Sequence, residues 1–109
     1  MGRYISGYAV FRHSEDGYEM DYNSLSSDLE QTMRHRGEND VIRKVRINYG
    51  GEEHHNHDYL GFGFKYGYKN TLIVHSIQET RESARLRGGE GKLYSVRLIA
   101  GEVVQGEEA

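Results

Sequence analysis

The chain has 109 residues, enough for one hydrophobic core and too few for two. It has no Cys, no Pro and 14 Gly, which excludes a disulfide framework, thiol chemistry and Cys-based zinc sites and leaves turns to Gly, Asn and Asp. A net charge of −3 argues against nucleic-acid binding over the whole surface, and it is too small for a polyanion mimic.

Nine Tyr and three Phe with no Trp give a ring-rich chain, and tyrosines serve both cores and interfaces because each ring carries a polar tip. No apolar run approaches the roughly 18 residues of a membrane-spanning helix. The start, MGRYISGYAV, has no apolar signal-peptide region. A cytoplasmic protein with no membrane partner is therefore expected.

Residues 3–12 alternate as a first strand, with Ile5, Gly7, Ala9 and Phe11 on one side and Tyr4, Ser6, Tyr8 and Val10 on the other. After a turn at Glu15-Asp16-Gly17, Tyr18, Met20 and Tyr22 alternate with polar residues as a short second strand pairing back on the first. Leu25, Leu29 and Met33 recur at i, i+4 and i+8, which predicts a helix over 25–36. Ser27 and Glu30 have capping-box spacing, and Gly37 supplies the left-handed stop.

Residues 40–49 are rich in β-branched side chains. Val41, Arg43, Val45, Ile47 and Tyr49 share one face, and Ile42, Lys44, Arg46 and Asn48 the other, as in a half-buried strand. Residues 50–57 are polar and Gly-led, a solvent-facing loop. From Leu60 to Tyr68 large residues alternate with Gly61, Gly63, Lys65 and Gly67, and residues 71–74 form a paired strand. Ser76 and Glu79 repeat the capping-box spacing ahead of a second short helix ending at Gly88. Residues 92–104 read as a final strand, apolar on both sides and so central in the sheet.

With hairpins collapsed, the order is β-α-β-β-α-β. This predicts an α+β domain over 1–104, a mostly antiparallel single-layer sheet of ferredoxin-like order covered by two helices, with a frayed tail at 105–109. Burying a ring is worth about 2 kcal/mol. The rings of the 60–68 strand should therefore point into the core, because a wall of Gly61, Gly63, Lys65 and Gly67 buries almost nothing.

Gly61-Phe62-Gly63-Phe64 resembles part of the third-strand signature of RNA recognition motifs. That resemblance implies base stacking on Tyr4, Phe62 and Phe64, with Lys65 and the basic run from Arg43 to Arg46 near phosphates. The closing segment LYSVRLIAGEVVQG resembles the last strand of ADP-ribosyltransferase domains, and the rest of that family's catalytic pattern is missing.

Among other constellations, His55 and His57 would project to one side of a strand beside Glu53 as a weak metal site without third or fourth ligands. No nucleophile elbow, Walker loop or dinucleotide fingerprint is present. The expectation is a non-enzymatic cytoplasmic protein of inhibitor or adaptor type, of the kind phage and bacterial accessory proteins exemplify. It needs no cofactor and binds another protein through Tyr4, Tyr8, Arg43 and Arg46. The alternative is a single-stranded nucleic-acid module using Phe62, Phe64 and Lys65. A homodimer is compatible with either.

Overall fold

The β-branched and aromatic runs form six strands in the computed structural model, which describes residues 3–15, 17–49, 59–66, 71–88 and 91–106. They are β1 (Arg3–Ser14), β2 (Gly17–Ser26), β3 (Val41–Tyr49), β4 (Tyr59–Tyr66), β5 (Thr71–Gln78) and β6 (Lys92–Gln105). Two helices interrupt them, α1 (Leu29–Met33) and α2 (Arg81–Gly88). The six strands make one sheet in the order β2-β1-β3-β6-β4-β5. Every neighbouring pair is antiparallel.

The ferredoxin-like expectation is overturned. The sheet curls into a nearly closed barrel, and the core lies inside the curl rather than between a sheet and a helical layer. Helix length explains why. At 1.5 Å per residue, the 5 residues of α1 and 8 of α2 reach only about 8 and 12 Å, while six strands at about 4.8 Å each are far wider. Helices that short cannot cover the sheet, so the sheet covers itself.

The two edge strands meet along a seam held by side chains. Tyr22 Oη donates to the Leu60 carbonyl, Tyr59 Oη donates to the Tyr18 carbonyl at 3.3 Å, and Gln78 Nε2 donates to Asn23 Oδ1 at 3.4 Å. From α2, Arg87 Nη2 donates to the same Asn23 Oδ1 at 2.8 Å.

Register decides which wall is inside. Ala9, Phe11, Val45, Ile47, Val96 and Leu98 fill the barrel together with Met20, Leu25, Leu72 and Ile77. Gly61 pairs with Val96 and Gly63 with Tyr94, so the glycine wall of β4 faces this interior. That reverses the expectation that glycines could not line a core. A Cβ on Gly63 would lie 2.9 Å from Ile77 Cγ1, and one on Gly61 would lie 2.9 Å from the Gln78 carbonyl oxygen. The glycines let β5 fold tightly over β4, and neighbouring strands supply the apolar atoms.

Phe62 and Phe64 of β4 point outward, whereas Tyr59 faces the interior with its ring 5.5 Å from that of Phe11. Phe64 is nonetheless buried, in a second cluster with Ile73 and Ala84 beneath α2, with Phe62 and Leu93 at its margin. The described structure does not extend to the side chain of Tyr66 or to residues 67–70.

Both helices are shorter than their sequence patterns. Leu25 belongs to β2 and the core, and Asp28 caps α1, its Oδ1 accepting from Glu30 N at 3.0 Å. Gly37 does not take the left-handed conformation. Ser24 explains the late start: its Oγ accepts from Val10 N at 2.7 Å and donates to the Asp21 carbonyl at 2.6 Å, which ties the segment to β1 as a bulged strand. Ser76 does the same in β5, accepting from Phe64 N at 2.9 Å and donating to the Ile73 carbonyl at 2.6 Å. The capping residue of α2 is Thr80, whose Oγ1 accepts from Ser83 N at 3.1 Å. β6 lies between β3 and β4, and continues through Gln105, opposite Ile42.

Candidate binding face on the outside of the barrel

Side chains opposite in register share a face, so the ladders place the outward residues of four strands together. Outward on β1 are Tyr4, Ser6 and Tyr8, facing Asn48, Arg46 and Lys44 of β3. Arg46 and Asn48 face Ile99 and Arg97 of β6, and Arg97 faces Leu60 of β4. Tyr4 and Leu60 are 61% and 55% exposed, and Lys44 and Arg46 also stand in solvent. The Arg46 Cζ lies 4.1 Å from the Tyr4 ring centre, and Arg46 Nε donates to Asn48 Oδ1 at 3.2 Å.

Charge is segregated onto these strands. Of 17 acidic residues, β1, β3, β4 and β6 contain one, Glu102, which sits in the bulge of β6 between Ala100 and Val103. The same strands hold eight of the 14 Lys and Arg: Arg3, Arg12, Arg43, Lys44, Arg46, Lys65, Lys92 and Arg97. Lys44, Arg46 and Arg97 point outward, forming a positive strip on a chain of net charge −3. Glu19 and Asp21 on β2 and Glu79 and Glu82 near α2 lie beyond its two sides.

Within the strip, Arg97 Nε is shielded from solvent and has no hydrogen-bond partner among the described residues. A buried donor left in that state costs about 1–3 kcal/mol.

The four residues expected to bind a protein partner divide. Tyr4, Tyr8 and Arg46 share the outer face, whereas Arg43 alternates away from them, pairing with Ala9 and Val103. Its Nη1 donates to the Gly101 carbonyl at 2.7 Å. Lys44 joins them by the alternation of β3, and Arg97, Leu60 and Ile99 join the face through strand pairing, which sequence alone does not supply.

The stacking platform does not assemble. Phe64 is 3% exposed, and Phe62 is half-buried with Arg81 Cζ 5.2 Å from its ring centre. Lys65 belongs to the inner register face, its Nζ 4.9 Å from the Tyr94 ring centre and 5.5 Å from that of Tyr49. Of the three rings expected to stack, only Tyr4 is open, and Lys65 is turned away from it.

His55 and His57 lie outside the described residues. Among the described ones, no three His, Asp or Glu side chains group to hold a metal ion, and no helix is long and apolar enough to cross a membrane.

A polar cleft of about 370 Å³ opens on the seam, lined in part by Arg12, Glu19, Asp21, Tyr22, Gln78 and Glu79. Two of its charged groups are already engaged with each other: Arg12 Nη1 donates to Asp21 at 2.6 Å, and Arg12 Nε lies 3.3 Å from Asp40. The hydrogen bond to Asp21 and the nearby carboxylates raise the Arg12 pKa. Burial, with the charge of Glu79 nearby, pushes the Tyr22 phenol up to about 12, so it remains a donor to Leu60. The cleft is thus built as a fastening of the barrel.

Compared with protein-family models, curated proteins and solved structures, the chain matches none.

Proposed function

We propose that this is a cytoplasmic, non-enzymatic binding protein that docks an acidic protein through the outer face of β1, β3, β6 and β4. One observation carries the reading: Lys44, Arg46 and Arg97 share an open face with Tyr4 and Tyr8, on four strands whose one acid, Glu102, sits in a bulge. Tyr and Arg are the side chains that most often anchor protein interfaces, and Arg resting on Tyr is partly pre-organised. A barrel suits this role because strand pairing fixes the side chains before the partner arrives.

Retention on immobilised poly-L-glutamate at low ionic strength tests the reading. The wild-type chain should be retained despite its net charge, and Lys44→Glu with Arg46→Glu should flow through, both with cooperative unfolding. Arg85→Glu, an exposed cation on α2, should be retained. Equal retention of the double variant and wild type would remove the outer face from consideration.

A further inference from the structure

We infer that Arg97 is the anchor of this face, and that it receives a carboxylate from a partner segment in which acidic and apolar side chains lie side by side. The inference rests on the outer face being the binding surface and adds what the partner must offer.

Two observations bear on Arg97. Its position is central, with Leu60 of β4 on one side and Asn48 of β3 on the other, on the strand that joins the two halves of the strip. Its Nε is desolvated but unpaired among the described residues. Because Nε is closed to solvent, a carboxylate meets the Nη end of this guanidinium, where it gains charge-assisted bonds. The two Nη atoms of a guanidinium form a fork that matches the two oxygens of a carboxylate, which a lysine ammonium cannot copy.

The neighbours of Arg97 define the rest of the partner. Leu60 is 55% exposed directly across the ladder, and Ile99, half-buried, follows two residues along β6 on the same face. An aliphatic side chain beside the carboxylate would cover Leu60 and Ile99, removing apolar surface from water at about 25 cal/mol per Å². A sugar–phosphate strand could satisfy Arg97 but would leave Leu60 against water, and of the three rings it needs Phe64 is buried, Phe62 is half-buried and Tyr4 alone is open. The occupant is therefore an acidic protein segment with interleaved aliphatic residues.

The test uses the full chain and three labelled probes at low ionic strength: a peptide alternating Glu and Leu, a peptide alternating Glu and Ser, and an oligothymidylate. The Glu–Leu peptide should bind tightest. Arg97→Lys keeps the charge but removes the fork, and should weaken that peptide about tenfold, close to the effect of Arg97→Ala. Leu60→Ala should weaken the Glu–Leu peptide several-fold and leave the Glu–Ser peptide unchanged.

The inference is overturned if the oligothymidylate binds more tightly than the Glu–Leu peptide, if that peptide does not bind, or if Arg97→Lys binds it as the wild type does. Lys44→Glu with Arg46→Glu separates the two levels. Loss of peptide binding in that variant with no effect of Arg97→Lys would leave the outer face standing and remove Arg97 as its anchor. No loss in any of these variants would remove the face itself.

Discussion

The guanidinium carbon of Arg46 lies 4.1 Å from the centre of the Tyr4 ring, across the β1–β3 ladder. The pair is displayed on an open sheet, and its members belong to different strands whose other faces fill the barrel. An exposed cation–π contact contributes about 0.5–1 kcal/mol, too little to explain the fold. Tyr4→Ala should therefore lower unfolding stability by less than about 1 kcal/mol in urea titrations, while retention on poly-L-glutamate falls clearly.

Gly88 ends α2 directly over Phe64, where a Cβ would come within 1.9 Å of Cδ2 of the ring. Helix propensity alone favours Gly88→Ala by about 1 kcal/mol. The clash forces Phe64 or α2 to move, at about 1–3 kcal/mol. Packing wins, and the urea midpoint of Gly88→Ala should fall.

The interior wall of β4 has the same dependence on glycine. Gly63→Ala places a methyl 2.9 Å from Ile77 Cγ1 and should cost about 1–3 kcal/mol. Ile77→Ala removes that atom and is itself costly. The double variant should cost less than the sum of the two, a coupling that a double-mutant cycle reads directly.

Alkaline unfolding should report the seam. Tyr22 has its pKa raised from 10.0 to about 12, chiefly by burial, so the folded state holds the phenol proton more tightly than the unfolded chain. Its contribution to stability is complete below the unfolded value, and declines as pH rises from about 10 through about 12. Tyr22→Phe leaves the Leu60 carbonyl without this donor and should cost about 1 kcal/mol at neutral pH. It should also flatten the decline in stability between those two pH values.

Strand alternation was legible in the sequence wherever a strand stayed regular. Ile5, Ala9 and Phe11 on one side, and Lys44 and Arg46 opposite Val45 and Ile47, lie as their period of two requires. The closure of the sheet was not legible. Leu25, Leu29 and Met33 have helical spacing, yet the hydrogen bonds of Ser24 hold Leu25 in a strand, and tertiary contact overrode a local period.

The glycine wall was misread for a related reason. In one isolated strand a row of glycines buries nothing, but in a barrel Ile77 and Leu72 fill the space a side chain would occupy. The candidate face was half legible. Tyr4, Tyr8 and Arg46 follow from alternation in two strands, whereas Arg97 and Leu60 meet them only through the β3–β6 and β6–β4 registers. No local pattern encodes which strands become neighbours.

The central claim, that the outer face of β1, β3, β6 and β4 meets an acidic protein, is tested most directly by site-specific photocrosslinking in an extract of the cells that make this protein. A photoreactive aromatic replaces Tyr4 in one sample and the exposed Leu86 of α2 in another. The account predicts a discrete, nuclease-resistant protein adduct from position 4 that disappears with Lys44→Glu and Arg46→Glu, and none from position 86. An adduct from position 4 that survives the double charge reversal, or one that nuclease digestion removes, would contradict it.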